Sequence, residues 1–100
     1  MNYILDGHNA IECGDVLKWA DWIEAADRTV RRTDLKHQGM VSTVFLATDY
    51  SFGDGPPILF ETMVFDGPLA DKMERYRTWE EAEAGHERMV ACVKIRELDQ

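Results

Sequence analysis

Long apolar runs, clustered cysteines and lysine are what this chain has least of. No stretch of about eighteen apolar residues, the length a bilayer demands, occurs in its 100 positions, so no segment reads as a transmembrane helix. The opening MNYILDGHNAIECGD has no basic segment followed by an apolar one, which argues against a signal peptide. The two cysteines, Cys13 and Cys92, lie 79 positions apart, and neither belongs to a C-x-x-C pair. A structural zinc site needs about four soft ligands, usually in close pairs. Two reduced core cysteines of a cytoplasmic protein are therefore expected, although spacing alone does not exclude a disulfide between them. The histidines, His8, His37 and His86, form no H-E-x-x-H or H-x-H pattern. His86 stands beside Glu87, but neighbours on a helix point to different faces, so His86 is read as a packed histidine. No metal and no cofactor is expected. No lysine occurs between Lys36 and Lys72, and the glycine-rich stretch in that interval lacks the Gly-Lys-Ser/Thr of a phosphate-binding loop.

What the chain does contain is acid and an ordinary share of apolar residues. Nineteen carboxylates against eleven Lys and Arg give a net charge of −8, which argues against binding to duplex DNA or to an anionic membrane. The apolar fraction is 45% with 10% aromatic, so a folded domain is expected rather than disorder. A chain of this length forms one domain and buries roughly 60–70% of its unfolded surface.

The order of elements reads β-β-α-β-β-β-(β)-α. Residues 2–12 form a hairpin turning at Asp6-Gly7. Asp15 is a candidate cap for a helix over residues 16–27, with Val16, Trp19, Ala20, Ile23 and Ala26 on one apolar stripe and Trp22 flanking it. Residues 28–35 suit an edge strand. MVSTVFLAT, residues 40–48, carries no charge and suits a central strand. Residues 49–57, DYSFGDGPP, are irregular, and ILFETMVFD at 58–66 is a second long strand, antiparallel to the first. Residues 73–77 form a short edge strand. T-W-E-E opens the last helix, with Thr78 as the cap and Glu81 closing the box; it runs to residues 93–96, and the tail from Glu97 frays. Short connections make the strands antiparallel, so the fold class is α+β: a two-layer sandwich, an antiparallel sheet of four to six strands with two helices on one face.

Three stretches carry a resemblance: VSTVFL (residues 41–46), FGDGPPILFETMVF (residues 52–65) and RYRTWEEAEAGHERMV (residues 75–90). Together with Gly67-Pro68, the YILDG start and the Trp19–Trp22 helix, they resemble a family of small uncharacterised proteins of tailed phages and prophages. The resemblance implies a phage or prophage product acting in the bacterial cytoplasm. It brings no activity with it.

Three places are candidates for chemistry. In the 49–57 loop, Tyr50 and Phe52 are aromatic, Gly53 and Gly55 free the backbone, and Asp54 adds charge; such a loop stacks on rings and binds anions. The plainer reading is a hairpin loop whose aromatics fold back onto the core. Glu61 is a charge inside an apolar strand, and on a covered face it requires Arg75, Arg77 or a ligand. On an open face it is simply solvated. Arg75, Tyr76 and Arg77 together offer two guanidiniums and a phenol for a phosphate or carboxylate, or else pair with surface acids. Both faces of the 58–66 strand are largely apolar, more than two helices on one face can cover, which points to a homodimer or larger assembly. Ser42 and Ser51 lack a nucleophile elbow, so catalysis has little support and the chain is read as non-enzymatic.

Three functional classes fit. One is a non-enzymatic phage binding protein that antagonises a bacterial defence system by holding a small anionic or nucleotide-like ligand, or a host protein. Another is an oligomeric phage structural or assembly accessory. The third is an acidic mimic of nucleic acid, against which stands the interspersion of acids and bases. The first is preferred, with Tyr50, Phe52, Asp54, Glu61, Arg75 and Arg77 as its ligand-binding residues.

Overall fold

The computed structural model describes residues 1–98, with side chains through Ile95. Six strands and two helices follow in the order β1 (Tyr3–Asp6), β2 (Asn9–Glu12), α1 (Val16–Ala25), β3 (Thr29–Asp34), β4 (Met40–Phe45), β5 (Phe60–Phe65), β6 (Met73–Tyr76) and α2 (Trp79–Leu98). The fold is α+β, and every strand pairing is antiparallel. The strands divide into two sheets: a β1–β2 hairpin, and a four-stranded sheet of order β3-β4-β5-β6.

The central pair owes its place to composition. β4 is MVSTVF and β5 is FETMVF, rich in the β-branched and aromatic residues that suit a pleated, half-buried surface. Their register sets Val41 opposite Val64, Thr43 opposite Thr62 and Phe45 opposite Phe60, and all six are buried on the face where α2 lies. Alternation puts Met40, Ser42 and Val44 of β4 on the other face, with Glu61, Met63 and Phe65 of β5 and Met73 and Arg75 of β6. No helix covers that face: Phe65 is 43% exposed and Met73 44%.

The two helices do different jobs. α2 lies along the sheet and contacts all four strands. Ala82, Gly85, His86, Met89, Val90 and Val93 are buried on it, along one helix face. Its cap is the expected box: Thr78 N–H donates to Glu81 Oε1 at 3.2 Å and Glu81 N–H donates back to Thr78 Oγ1 at 3.1 Å. The helix runs through Leu98, past the expected stop at 93–96. Glu97 and Leu98, expected to fray, are therefore helical; the rest of that tail, residues 99–100, lies outside the described residues.

α1 does not lie beside α2 across the sheet. With the β1–β2 hairpin it closes the end of the sheet where Phe45, Ala47 and Leu59 emerge. Asp15 caps it, accepting from the N–H groups of Leu17 (3.1 Å) and Lys18 (3.2 Å). Of the expected stripe, Val16 is 63% exposed and Ala20 faces solvent, while Trp19, Trp22 and Ile23 make the contact. Trp19 Nε1–H donates to the Ala47 carbonyl at 3.0 Å, and Trp22 meets Phe45 edge to face at 5.8 Å. Indole hydrogen bonding and aromatic geometry therefore rotate the helix away from its simplest apolar stripe.

The hairpin also differs from expectation by one residue. Asp6 pairs with Asn9, so the turn residues are Gly7 and His8. Gly7 takes φ 62°, and only the first turn position has positive φ, the Gly-first arrangement of a type II′ turn. The shift places His8 at the tip.

The closest approach of α2 to the sheet lies at β6. A Cβ on Gly85 would fall within contact of the ring and hydroxyl of Tyr76, which is buried on the helix side of the sheet. The Tyr76 hydroxyl meets no hydrogen-bond partner in good geometry among the described residues, and burial, opposed by the nearby Thr62 hydroxyl, pushes its phenol up. Replacing Gly85 with Ala is expected to destabilise the fold by about 2–3 kcal/mol through overpacking. Tyr76→Phe, which removes an unpaired buried hydroxyl, is expected to stay within about 1 kcal/mol of the parent. Urea unfolding of both variants measures the contrast.

Candidate functional site

The chain brings its chemistry-bearing side chains to three separate places. In the interior, a line of polar groups crosses the α2–sheet interface. Thr33 Oγ1 lies 2.9 Å from His86 Nε2, Thr43 Oγ1 lies 2.7 Å from His86 Nδ1, and Thr43 and Thr62 hydroxyls meet at 2.5 Å. His86 is 1% exposed, so this is a core network and not a ligand site. Burial, reinforced by the Arg31 guanidinium and opposed by Glu87, holds the imidazole below its ordinary value.

The second place is the open sheet face. Arg75 Nε donates to Glu61 Oε2 at 3.0 Å across the β5–β6 register, and the Arg75 guanidinium lies 4.8 Å over the Tyr50 ring. Three of the sequence candidates thus meet here, and Glu61 finds its arginine within the chain. Asp49 builds the base of the loop that delivers Tyr50. Its carboxylate accepts from Ser51 N–H at 2.7 Å and Ile58 N–H at 2.9 Å, and these bonds hold the carboxyl below its usual range. Phe52 is 99% exposed at the loop tip and does not fold back onto the core; Asp54 is exposed there too. The sequential trio 75–77 does not act as one clamp, because strand alternation turns Tyr76 into the core between its two arginines.

The third place is a cavity of about 320 Å³ between the hairpin tip, the Pro56-Pro57 segment and the start of α2. That volume is at the small end of ligand pockets, roughly 300–1,000 Å³. Its walls include Tyr3, His8, Pro57, Arg77, Trp79 and Glu80. Trp79 is held on two sides. Its Nε1–H donates to Glu83 at 2.6 Å, and Phe60 meets it edge to face at 6.2 Å. The His8 imidazole stacks on it with centroids 3.9 Å apart and planes 8° from parallel. Burial, then the carboxylates of Glu12 and Asp49, push the Tyr3 phenol up, so it stays a neutral hydrogen-bonding group.

Arg77 differs from its neighbours in charge pairing. Arg31, Arg32, Arg75 and Arg88 each reach a carboxylate, Glu87, Asp34, Glu61 and Glu74 respectively. Arg77 instead donates from Nε to the Pro56 carbonyl at 3.1 Å and has no carboxylate partner among the described residues. That bond fixes the side chain against the cavity wall and leaves the terminal guanidinium nitrogens for a ligand.

Of the six sequence candidates, only Arg77 lines this cavity; Tyr50, Glu61 and Arg75 belong to the open face, and Phe52 and Asp54 to the loop. Sequence reasoning missed His8, Tyr3 and Trp79 as site residues. The available signal was the hairpin motif, but its register placed His8 outside the turn, and Trp79 entered as part of the T-W-E-E helix start. No group of three or more His, Cys, Asp or Glu able to hold a metal occurs among the described residues; Cys13 and Cys92 are free, and only Cys13 is a core residue, Cys92 being exposed on the outer face of α2. No helix among the described residues is long and apolar enough to cross a membrane. Comparison with known protein families, curated proteins and solved structures finds nothing that matches this chain.

The buried imidazole gives a pH dependence with a definite sign. His86 binds fewer protons folded than unfolded, so stability rises with pH through the imidazole range. Its contribution is complete above the unfolded value of about 6.5 and is lost on acidification until the buried ring itself protonates. Urea midpoints are expected to fall between about pH 7.5 and pH 5.5, and to fall less in His86→Gln.

Proposed function

We propose that this protein is a small non-enzymatic binding protein that holds a small ligand in the cavity between the hairpin tip and the start of α2. One observation carries the reading: in a chain with 19 acids and 11 Lys and Arg, the arginine at this cavity has no carboxylate partner among the described residues, while Arg31, Arg32, Arg75 and Arg88 are paired; Arg28, also without one, does not line the cavity. An oriented guanidinium beside a half-buried indole suits capture of a small anionic molecule. The hydroxyl of Thr78 at this site is committed with Glu81 to the helix cap, which favours holding over turnover. In the phage or prophage setting suggested by the family resemblance, the role is to withhold a nucleotide-like ligand from a bacterial defence system in the host cytoplasm. The acidic balance disfavours nucleic acid as a direct partner.

A second reading, self-association, is favoured by the uncovered sheet face. Met40, Val44, Met63, Phe65 and Met73 share it, and its central charge, Glu61, is already paired with Arg75. Covering the face with a second copy therefore leaves no lone charge buried.

Native mass spectrometry of the purified protein, before and after denaturation, tests both. A small mass released on unfolding, and absent from Arg77→Ala, is the expected result for ligand capture. A species of integral multiple mass that Phe65→Glu reduces to the monomer is expected for self-association. Monomer with nothing bound overturns both readings; an empty oligomer leaves assembly, or a host protein, as the function.

A further inference from the structure

We infer that the cavity takes a flat ring carrying one anionic group, the ring occupying the Trp79 face that His8 now covers and the anion meeting Arg77. The inference rests on the proposed ligand-binding reading and specifies its chemistry.

The indole of Trp79 is immobilised before any ligand arrives. Glu83 fixes its N–H, and Phe60 packs against it edge to face. Its face is covered by an exposed side chain at the tip of a two-residue turn. The hairpin is anchored elsewhere: Leu5 and Ala10 pack on the core, Tyr3 N–H donates to the Ala47 carbonyl at 2.9 Å, and Asn2 bridges to Thr48. Rotation of the His8 side chain alone therefore clears the Trp79 face without moving a strand. The near-parallel stack at 3.9 Å is also the geometry that a heterocyclic ligand would adopt on that face. His8 is a built-in placeholder for the ring.

The charge arrangement limits the other half of the ligand. Arg77 is the cavity's guanidinium, held by its Nε bond to Pro56 with the terminal nitrogens uncommitted to a carboxylate. Glu81 is committed to the helix cap, but Glu80 also lines the cavity. One guanidinium facing one rim carboxylate suits a single phosphate or carboxylate and penalises a polyphosphate. The modest cavity volume points the same way.

The test uses the full chain with adenosine 5′-monophosphate as the probe. Adenosine, ribose 5-phosphate and adenosine triphosphate serve as comparators, all by isothermal titration calorimetry. The monophosphate is expected to bind at least tenfold tighter than each comparator. His8→Ala, which removes the competing ring, is expected to tighten it about two- to tenfold, and Arg77→Gln to weaken it at least tenfold. Glu80→Gln is expected to narrow the gap to the triphosphate. His8 and Arg77 are exposed, and circular dichroism confirms that their variants remain folded. Equal affinity for adenosine and its monophosphate overturns the anion, and a loss of affinity in His8→Ala overturns the placeholder. A retained mass in native spectra that the monophosphate fails to displace overturns this ligand class while the binding reading stands. No retained mass and no heat from any probe overturns both.

Discussion

The seating of α2 on the sheet is the constraint from which the rest of the structure follows. It is closest at Gly85, where the helix backbone comes down on the Tyr76 ring and leaves no room for a Cβ. That approach fixes the helix relative to β6, and the consequences spread in both directions along its axis. Toward the C-terminus, Met89, Val90 and Val93 reach Val41 and Val64. One residue beyond the contact, His86 is carried between the half-buried Thr33 and the buried Thr43, which also meets Thr62, so four polar side chains satisfy one another across the interface. Toward the N-terminus, the same placement brings Trp79 against Phe60 and under the hairpin tip, and the cavity follows from that.

The cavity is a junction and belongs to no single element. The hairpin contributes His8 and Tyr3, the irregular segment before β5 contributes Pro56 and Pro57, the residue after β6 is Arg77, and the helix contributes Trp79 and Glu80. Each is locally ordinary. What distinguishes the place is a difference in pairing: the arginine at this junction is held by a backbone carbonyl, while Arg75, two residues earlier on the same strand line, is closed off by Glu61 and Tyr50. A carbonyl orients a guanidinium without neutralising it, and a carboxylate does both. Two arginines of similar sequence context therefore have different capacity for an anion.

The open face of the sheet poses a separate physical problem. Alternation gives β4 and β5 apolar residues on both sides, yet α2 covers one side and α1 is drawn away to the sheet's end by the hydrogen bond from Trp19 and the contact of Trp22 with Phe45. Met63, Phe65 and Met73 are left with partial exposure on a flat surface. The Glu61–Arg75 pair is built into that surface, with Glu61's side chain 16% exposed, so the face is prepared for covering without a stranded charge.

Local chemistry was enough to determine the elements from sequence. The uncharged β-branched run at 40–48, the capping box at Thr78–Glu81, the cap at Asp15 and the antiparallel 40–48/58–66 pair each arise from interactions within a few residues or from simple periodicity. The α+β class followed from their order. The hairpin was legible but its register was not, because Asp6-Gly7 and Gly7-His8 are both acceptable turns and only packing of Leu5 and Ala10 on the core chooses between them. That one-residue choice decides whether His8 can reach Trp79, 71 positions away in the chain. The pairing of each arginine and the end of the sheet taken by α1 were likewise decided by tertiary structure. They depend on which carboxylate, carbonyl or ring is brought within a few ångströms, and residues distant in sequence supply those partners.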